Sequence, residues 1–359
     1  MEGQTQERGQ TQGRGQSQGL SFAVVGLGVI SKFYLAALER SPAAGLVAVC
    51  DRDPAALAPW QGRVPCYTDH RELLAQERLD GVIVTVPNDA HAAVCGDALR
   101  AGVPVCVEKP LALTSAEAAG LTAAAEAARV PLFTAFHRRY NARVRQLARQ
   151  LEPCRDEIAS VVVRYFEQIE EHAGDDSWYL DPARCGGGCV ADNGPNAFDL
   201  VRLLLGDPAE PASPGAPARL AVSSATIDYD DAGVDRRAVV ELSAAGERTR
   251  ARVELDWSYP GEVKDVTVTL TDGTVRHADM LAGHHGFKAS LWHEYEAILA
   301  DFVTRAGSPL REDDGGRAAL RLVEAAYRAS EHAPESGSDH APDHASLPAA
   351  RAGEAVGVR

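Results

Sequence analysis

The sequence predicts an α/β protein: a doubly wound domain with a parallel sheet, then a second domain rich in strands. Three observations carry this. Short Val-rich apolar runs alternate with helical stretches from about residue 20 to 140, the pattern of a parallel sheet covered on both faces. The first run ends in a glycine pair, Gly26 and Gly28, that opens a helix, as the first turn of such sheets does. From Leu220 to Met280 strand follows strand, with clear alternation in RTRARVELDW, which implies one wet face and one covered face.

The elements follow in order. SFAVVGLG, GLVAVCD, DGVIVTVP, VPVCVEK and VPLFTAFH read as buried strands. Helices are expected at Ser31–Glu39, Asp69–Gln76, Ala90–Ala101 and Thr114–Ala128. After a helix over Asn141–Leu151 comes a long strand, EIASVVVRYFE, and then a glycine-rich loop that leads into the helix PNAFDLVRLLLG. Pro195 suits the first turn of that helix. Asp272-Gly273 lies between two strand-like runs and reads as a hairpin turn. Helices near Ser290–Arg305 and Arg317–His332 are expected to close the second domain. Residues 20–140 and 141–332 are thus the two expected domains. Residues 1–19 and 333–359 have little to bury and are expected to be disordered tails, with His340 and His344 solvated.

With 359 residues, 45% apolar and 24% charged, the chain is neither disordered nor collagen-like. A net charge of −15 argues against an electrostatic grip on nucleic acid or an anionic membrane. No apolar run approaches the roughly 20 residues that span a bilayer, and Met1–Gly19 lacks the apolar core of a secretory signal. Seven cysteines without a Cys-x-x-Cys pair read as reduced thiols of a cytoplasmic protein, with no metal site. Only Lys32, Lys109, Lys264 and Lys288 are lysines, so a lysine inside a chemical motif stands out.

The first such motif is AVVGLGVISKFYLAAL. Gly26 permits the tight turn, and Gly28 lets the backbone approach a pyrophosphate. Amides at the helix start, Val29 and Ile30, attract the anion. Ser31 stands where a third glycine often sits. The second strand ends in Asp51, where an acid accepts both ribose hydroxyls and favours NAD. Arg52 beside it would pair a 2′-phosphate, so NADP stays open.

The fifth strand ends in VCVEKP, which puts Lys109 at the carboxyl end of a buried strand, where doubly wound sheets bind ligands. Pro110 biases Lys109 toward an extended backbone. Desolvated against a nicotinamide, such a lysine is expected to have a lowered pKa and to move protons near neutrality. Standing alone, it reads more often as a solvated strand-end charge. Glu108 either orients the amine or makes a salt bridge. In CGGGCVADNGPNAFDL, three glycines allow close approach of the backbone to a ligand. Asp192 either caps the helix that follows or meets substrate. Asn196 and Asp199 share one helix face.

With these residues assembled, the chain resembles the family of glucose–fructose oxidoreductase, inositol 2-dehydrogenase and the rhizopine-catabolism dehydrogenase (Gfo/Idh/MocA). The resemblance spans about Ser21 to Ser330. It rests on AVVGLGVISKFYLAAL, VTVPNDAHAAVCGDALRAGVPVCVEKPLA, WYLDPARCGGGCVADNGPNAFD and LWHEYEAILADFV. It implies a Rossmann domain and a C-terminal α/β domain with a large open, mainly antiparallel sheet. That sheet would serve substrate binding and subunit contact, hence a homodimer or homotetramer. It implies NAD or NADP and a hydride moved to or from a ring carbon of a polyhydroxylated sugar or cyclitol. It also implies that Lys109 takes part in proton transfer. The Val86-Pro87-Asn88 turn and His91 would approach the dinucleotide, and Asp192 would hold substrate hydroxyls.

One departure stands out. The family pattern after the glycines is D-x-G-x-H-x-x-D, and here Asn196 occupies the histidine's place. An amide hydrogen-bonds a substrate oxygen but exchanges no proton near neutrality. His172, His284 and His285 are the candidates to substitute. Arg138, Arg139 and Tyr140 follow a strand end and are candidates to touch a polar substrate. Trp178 and Tyr179 read as pocket wall or as core. The expected activity is thus an oxidoreductase with Lys109, Asp192 and Asn196 as its catalytic set. The alternatives are a dinucleotide-binding sensor without turnover, or a redox-neutral elimination or glycoside cleavage with tightly held NAD.

Overall fold

The computed structural model describes residues 19–173, 177–206, 220–244, 249–307 and 315–331. The expected tails, apart from Gly19, lie outside the described residues, as do His340 and His344.

In the first half come β1 (Leu20–Val25), α1 (Ser31–Arg40), β2 (Ala44–Cys50), the single turn α2 (Pro54–Leu57), β3 (Cys66–Tyr67) and α3 (His70–Gln76). They are followed by β4 (Gly81–Val84), α4 (His91–Arg100), β5 (Val105–Glu108), α5 (Ser115–Ala128) and β6 (Leu132–Ala135). The strands form one sheet in the order β3-β2-β1-β4-β5-β6, every pair parallel. The order reverses at β1 and β4, so a crevice opens beyond the carboxyl ends of those strands. Local chemistry starts the helices: Asp69 caps α3 through the Arg71 amide, and Thr114 with Glu117 forms a capping box on α5.

Strand pleating sorts the apolar residues between the two faces. Ala23, Val25, Val82, Val84, Val105 and Val107 pack with α3, α4 and α5. Phe22, Val24, Ile83, Cys106 and Phe133 point the other way, toward α1.

The second half holds α6 (Ala142–Leu151), β7 (Ile158–Gln168), the short helices α7 (Ile169–Ala173), α8 (Pro182–Cys185) and α9 (Cys189–Asp192), and α10 (Gly194–Leu205). Then come β8 (Leu220–Tyr229), β9 (Asp235–Ala244), β10 (Arg250–Asp256), β11 (Ser258–Leu270), β12 (Val275–Asp279), α11 (Phe287–Ala306) and α12 (Gly316–Glu331). The sheet order is β12-β11-β7-β10-β9-β8. Only β7 and β10 run parallel; the other pairs are antiparallel. The expected hairpin is present between β11 and β12, with Gly273 at φ +87° and Asp272 accepting from the Thr274 amide at 2.8 Å. Ala251, Val253 and Leu255 enter the core. On the opposite face Arg252 bridges Glu241 and Glu254, and Arg164 pairs with Asp265.

One expectation fails. The helix expected near Ser290–Arg305 does not close the second domain. As α11 it returns to the first sheet, burying Leu291, Tyr295, Ile298, Leu299 and Phe302 against Phe22, Phe33, Tyr34 and Phe133. Phe302 packs 5.4 Å from Phe22 and 5.9 Å from Phe133, ring centre to ring centre. The physical reason is coverage: of the first-half helices, only α1 contributes buried residues to that face. Each large side chain so covered stabilises by about 1.5–3 kcal/mol. The last helix, α12, packs on β8, α10 and α5. All seven cysteines are free. Among the described residues no helix is long and apolar enough to cross a membrane.

Candidate active site

A cleft of ≈ 750 Å³ lies between the two sheets, at the carboxyl ends of β1, β2, β4 and β5. Gly26, Gly28, Val29, Ile30, Asp51, Arg52, Val86, Pro87, Asn88, Glu108, Lys109, Trp178, Asp192 and Asn196 all line it. Two expected residues do not.

On the wall formed by the first sheet, Gly26 adopts φ +93°, and a Cβ there would lie 2.7 Å from the Thr85 backbone. Gly28 has nothing within 4 Å of an added Cβ, so its backbone faces open space. Ile30 gives α1 no side-chain cap, which leaves first-turn amides for an anion. Asp51 accepts from the Leu27 amide at 2.6 Å and the Asp53 amide at 2.8 Å. It thereby ties the glycine turn to the end of β2. An open glycine cradle, uncapped amides and an acid at the second strand together fit a dinucleotide. His91 is fully buried behind this wall. Its Nδ1 lies 2.7 Å from the Pro110 oxygen and its Nε2 3.0 Å from the Val86 oxygen. Burial lowers its pKa to about 4, so the ring is neutral and donates to only one of the two oxygens; it sits between the two loops without reaching the cleft.

Lys109 projects from the end of β5 to Asp192 on α9. The two form an ion pair, and Nζ also donates to the Asp192 carbonyl at 3.2 Å. The Lys109–Pro110 peptide is cis. Contrary to expectation, the Lys109 pKa is raised. Burial alone would lower it, but the charge of Asp192 and its hydrogen bond outweigh burial. Lys109 is therefore an ammonium at neutral pH. Asp192 does not cap α10, which has no side-chain cap. Among the described residues Glu108 neither bonds the amine nor forms a salt bridge: it accepts from the Tyr34 hydroxyl at 2.8 Å. Burial pushes its pKa up to about 7.

The glycine-rich loop also departs from expectation. A Cβ on Gly187 would fall 2.1 Å from the Tyr327 hydroxyl, and one on Gly188 2.2 Å from the Asp235 carbonyl. The close approach is to the chain itself. The Asp235 carboxylate holds the loop from behind, accepting from Gly188 at 2.5 Å, Val190 at 2.8 Å and Tyr327 at 2.9 Å.

Asn196 meets an imidazole that the motif reading did not single out. His137, just past β6, lies 3.0 Å from the Asn196 amide nitrogen through Nε2. Its Nδ1 meets Glu294 of α11 at 2.7 Å. His137 lines the cleft together with Tyr165, Glu167 and Tyr295. The other proposed substitutes are elsewhere: His284 stacks on His293 and His285 is exposed. The side chain of His172 lies outside the described residues. Arg139 is also off the cleft, gripping Asp199 with two bonds. Arg138 is buried on Glu294, and the Tyr140 hydroxyl donates to Asp301. Trp178 stacks on Tyr179 with centroids 3.9 Å apart. The overlooked signal was position: His137 follows a strand's carboxyl end, beside residues already under consideration.

A crevice that offers open amides to a pyrophosphate on one side and an ammonium on the other is the arrangement of a nucleotide-dependent oxidoreductase. Comparison with known proteins gives the particular family. Residues 20–136 match the model described as oxidoreductase family, NAD-binding Rossmann fold, and residues 156–276 match the GFO/IDH/MocA C-terminal domain. The chain belongs to this family. It is 30% identical to D-xylose 1-dehydrogenase (NADP(+)) 2 of Haloferax volcanii over 69% of this chain and 71% of that one. It is 27% identical to inositol 2-dehydrogenase of Rhizobium meliloti over 63% of this chain and 66% of that one. The structure of GenD2 from gentamicin A biosynthesis in complex with NAD superposes with a TM-score of 0.75 at 24% identity, covering 90% of this chain and 98% of that one.

Proposed function

We propose that this chain oxidises a ring carbinol of a sugar or cyclitol, or reduces the matching ketone, with NAD. The observation that carries the reading is the ammonium of Lys109. Two of its hydrogens go to Asp192, to a carboxylate oxygen and to the carbonyl, which leaves the third for a substrate oxygen. The activities named for the Haloferax and Rhizobium relatives point to the same substrate class.

Bound NAD would accept the hydride of the carbinol carbon, and NADH would return it to a ketone. The turn of Gly26 and Gly28, the amides of Val29 and Ile30, and the Asp51 carboxylate would hold the nucleotide. Val86, Pro87, Asn88 and Glu108 would lie along its other half. NAD is favoured over NADP because Asp51 would meet a 2′-phosphate with like charge, although Arg52 is exposed beside it. Lys109, as the ammonium, gives a proton to the oxygen during reduction and is left as the neutral amine; oxidation is the reverse and starts from that neutral amine, which takes the carbinol's proton as the hydride leaves. Asp192 keeps that amine charged and, with Asn196, fixes neighbouring hydroxyls. Trp178 walls the substrate. We further propose domains at residues 20–140 and 141–332, with α11 of the second covering the sheet of the first, a homodimer or homotetramer, and a cytoplasmic location.

The test is incubation with NAD and, separately, D-xylose, D-glucose and myo-inositol, followed at the nicotinamide absorbance. Reduction of NAD by at least one of them is expected. Tight NAD binding with no reduction by any polyol would sink the reading. Sugar consumed with no net change in NAD would favour the redox-neutral alternative.

A further inference from the structure

We propose that Glu294 and His137 are positioning residues that fix the direction of the Asn196 amide, so that Asn196 meets the substrate as an acceptor for a hydroxyl group. The proposal rests on the polyol reading above and narrows it. Glu294 is fully buried, and its carboxylate only accepts hydrogen bonds. One oxygen takes Arg138 Nη1 at 2.9 Å and Asn141 Nδ2 at 2.6 Å. The other faces His137 Nδ1 at 2.7 Å, so that nitrogen carries the hydrogen. A neutral imidazole then has its lone pair on Nε2.

The Asn196 amide nitrogen lies 3.0 Å from that lone pair and donates to it. The amide oxygen is thereby turned away from the imidazole. It is buried and accepts from no group among the described residues. A buried acceptor without a donor is costly. Asn196 belongs to the cleft wall with Lys109 and Asp192, so a small movement of its side chain toward the cleft lets a ligand hydroxyl supply the missing donor.

The direction persists at neutral pH. Burial lowers the His137 pKa to about 4; the bond to Glu294 opposes this, and the charges of Arg138 and Lys109 add to it. The Tyr295 ring covers the imidazole face at 5.8 Å. At these three residues the wall therefore offers a donor, Lys109, beside the acceptors Asp192 and Asn196. It suits a reacting oxygen on Lys109 whose neighbouring carbon bears a hydroxyl; a carbonyl at the Asn196 position finds no partner.

Two measurements test this. In protein labelled with 15N at histidine, two-bond proton–nitrogen correlation at pH 7 should show His137 protonated on Nδ1 alone, assigned against His137→Gln. A proton on Nε2 overturns the proposal, with or without turnover. The second compares D-xylose and myo-inositol with their monodeoxy counterparts. A glutamine at 137 can still donate to Glu294 and accept from Asn196, whereas leucine does neither. His137→Leu should raise KM for the hydroxylated substrate roughly tenfold more than for the deoxy substrate. His137→Gln should stay within about threefold of wild type. Equal losses on both substrates, or a glutamine variant no better than leucine, overturn the proposal. If the wild type turns over neither sugar, the proposed activity fails by itself. The histidine tautomer and calorimetric affinities for the same sugar pairs then decide the amide's direction.

Discussion

The two walls of the cleft are built in opposite ways. The wall proposed to hold the nucleotide is mostly backbone: a glycine turn, helix-start amides and the Val86–Asn88 turn, with Asp51 tying its loops together. The facing wall is made of side chains drawn from widely separated segments. Lys109, His137, Glu167, Asp192 and Asn196 come from the ends of β5 and β6 and from β7, α9 and α10, and Glu294 of α11 backs them through His137. Buried charges hold it, with Lys264 on Glu167 and Arg138 on Glu294. Backbone amides recognise a pyrophosphate whatever the neighbouring side chains, so the first wall suits an unvarying ligand. The second can change its hydroxyl preference one side chain at a time.

The contrast can be broken at several points. The largest effect is expected for Lys109→Ala: kcat should fall roughly 10²–10⁴-fold, while the NAD dissociation constant, read by calorimetry, stays within about twofold. Weakened NAD binding of the same size would mean that the walls do not divide the work. Next comes Glu294→Ala, which strands the buried Arg138 and removes the support of His137 and Asn141. It should cost about 3–5 kcal/mol in chemical denaturation; a loss below about 1 kcal/mol would contradict the described network.

Glu108 sharpens the comparison through pH. Its folded pKa of about 7 lies above the ordinary 4.5, so the folded chain holds this proton more tightly than the unfolded one. That contribution is complete below about pH 4.5 and is lost as pH rises through about 7. The difference is on the order of 3 kcal/mol. Glu108→Gln should flatten the fall in Tm over that window, and an unchanged slope would refute the assignment. The smallest effect is expected from Gly26→Ala. Strain at φ +93°, with the Thr85 backbone 2.7 Å from the new Cβ, should cost about 1–3 kcal/mol. It should weaken NAD binding and leave the His137 tautomer untouched.

This division also explains what could be read in advance. The parallel sheet, the glycine turn and the Asp51 end of β2 are short-range patterns, set by period and by turn chemistry, and they stand in one stretch of chain. Lys109 and Asp192 were found because each sits in a dense local motif. His137 and Glu294 were not paired, because 157 positions separate them and neither the spacing nor the periodicity of either segment refers to the other. The direction of the Lys109 shift was misjudged for the same reason: burial is readable from a strand pattern, whereas a carboxylate 83 positions away is not. His91 and Arg139 stand next to cleft residues in sequence, but their side chains turn to Pro110 and Asp199.

The return of α11 to the first sheet governs how this polypeptide must be made. A nascent chain that has emerged through β6 carries one oily sheet face covered by α1 alone, with Phe22, Phe33 and Phe133 lacking their α11 partners. Its lid is encoded about 150 positions later. At the usual pace of synthesis, roughly 5–20 residues per second, that face stays wet for about 8–30 s on the ribosome. The amino-terminal half is therefore no free-standing module; cut off after residue 140, it should aggregate through those aromatic rings.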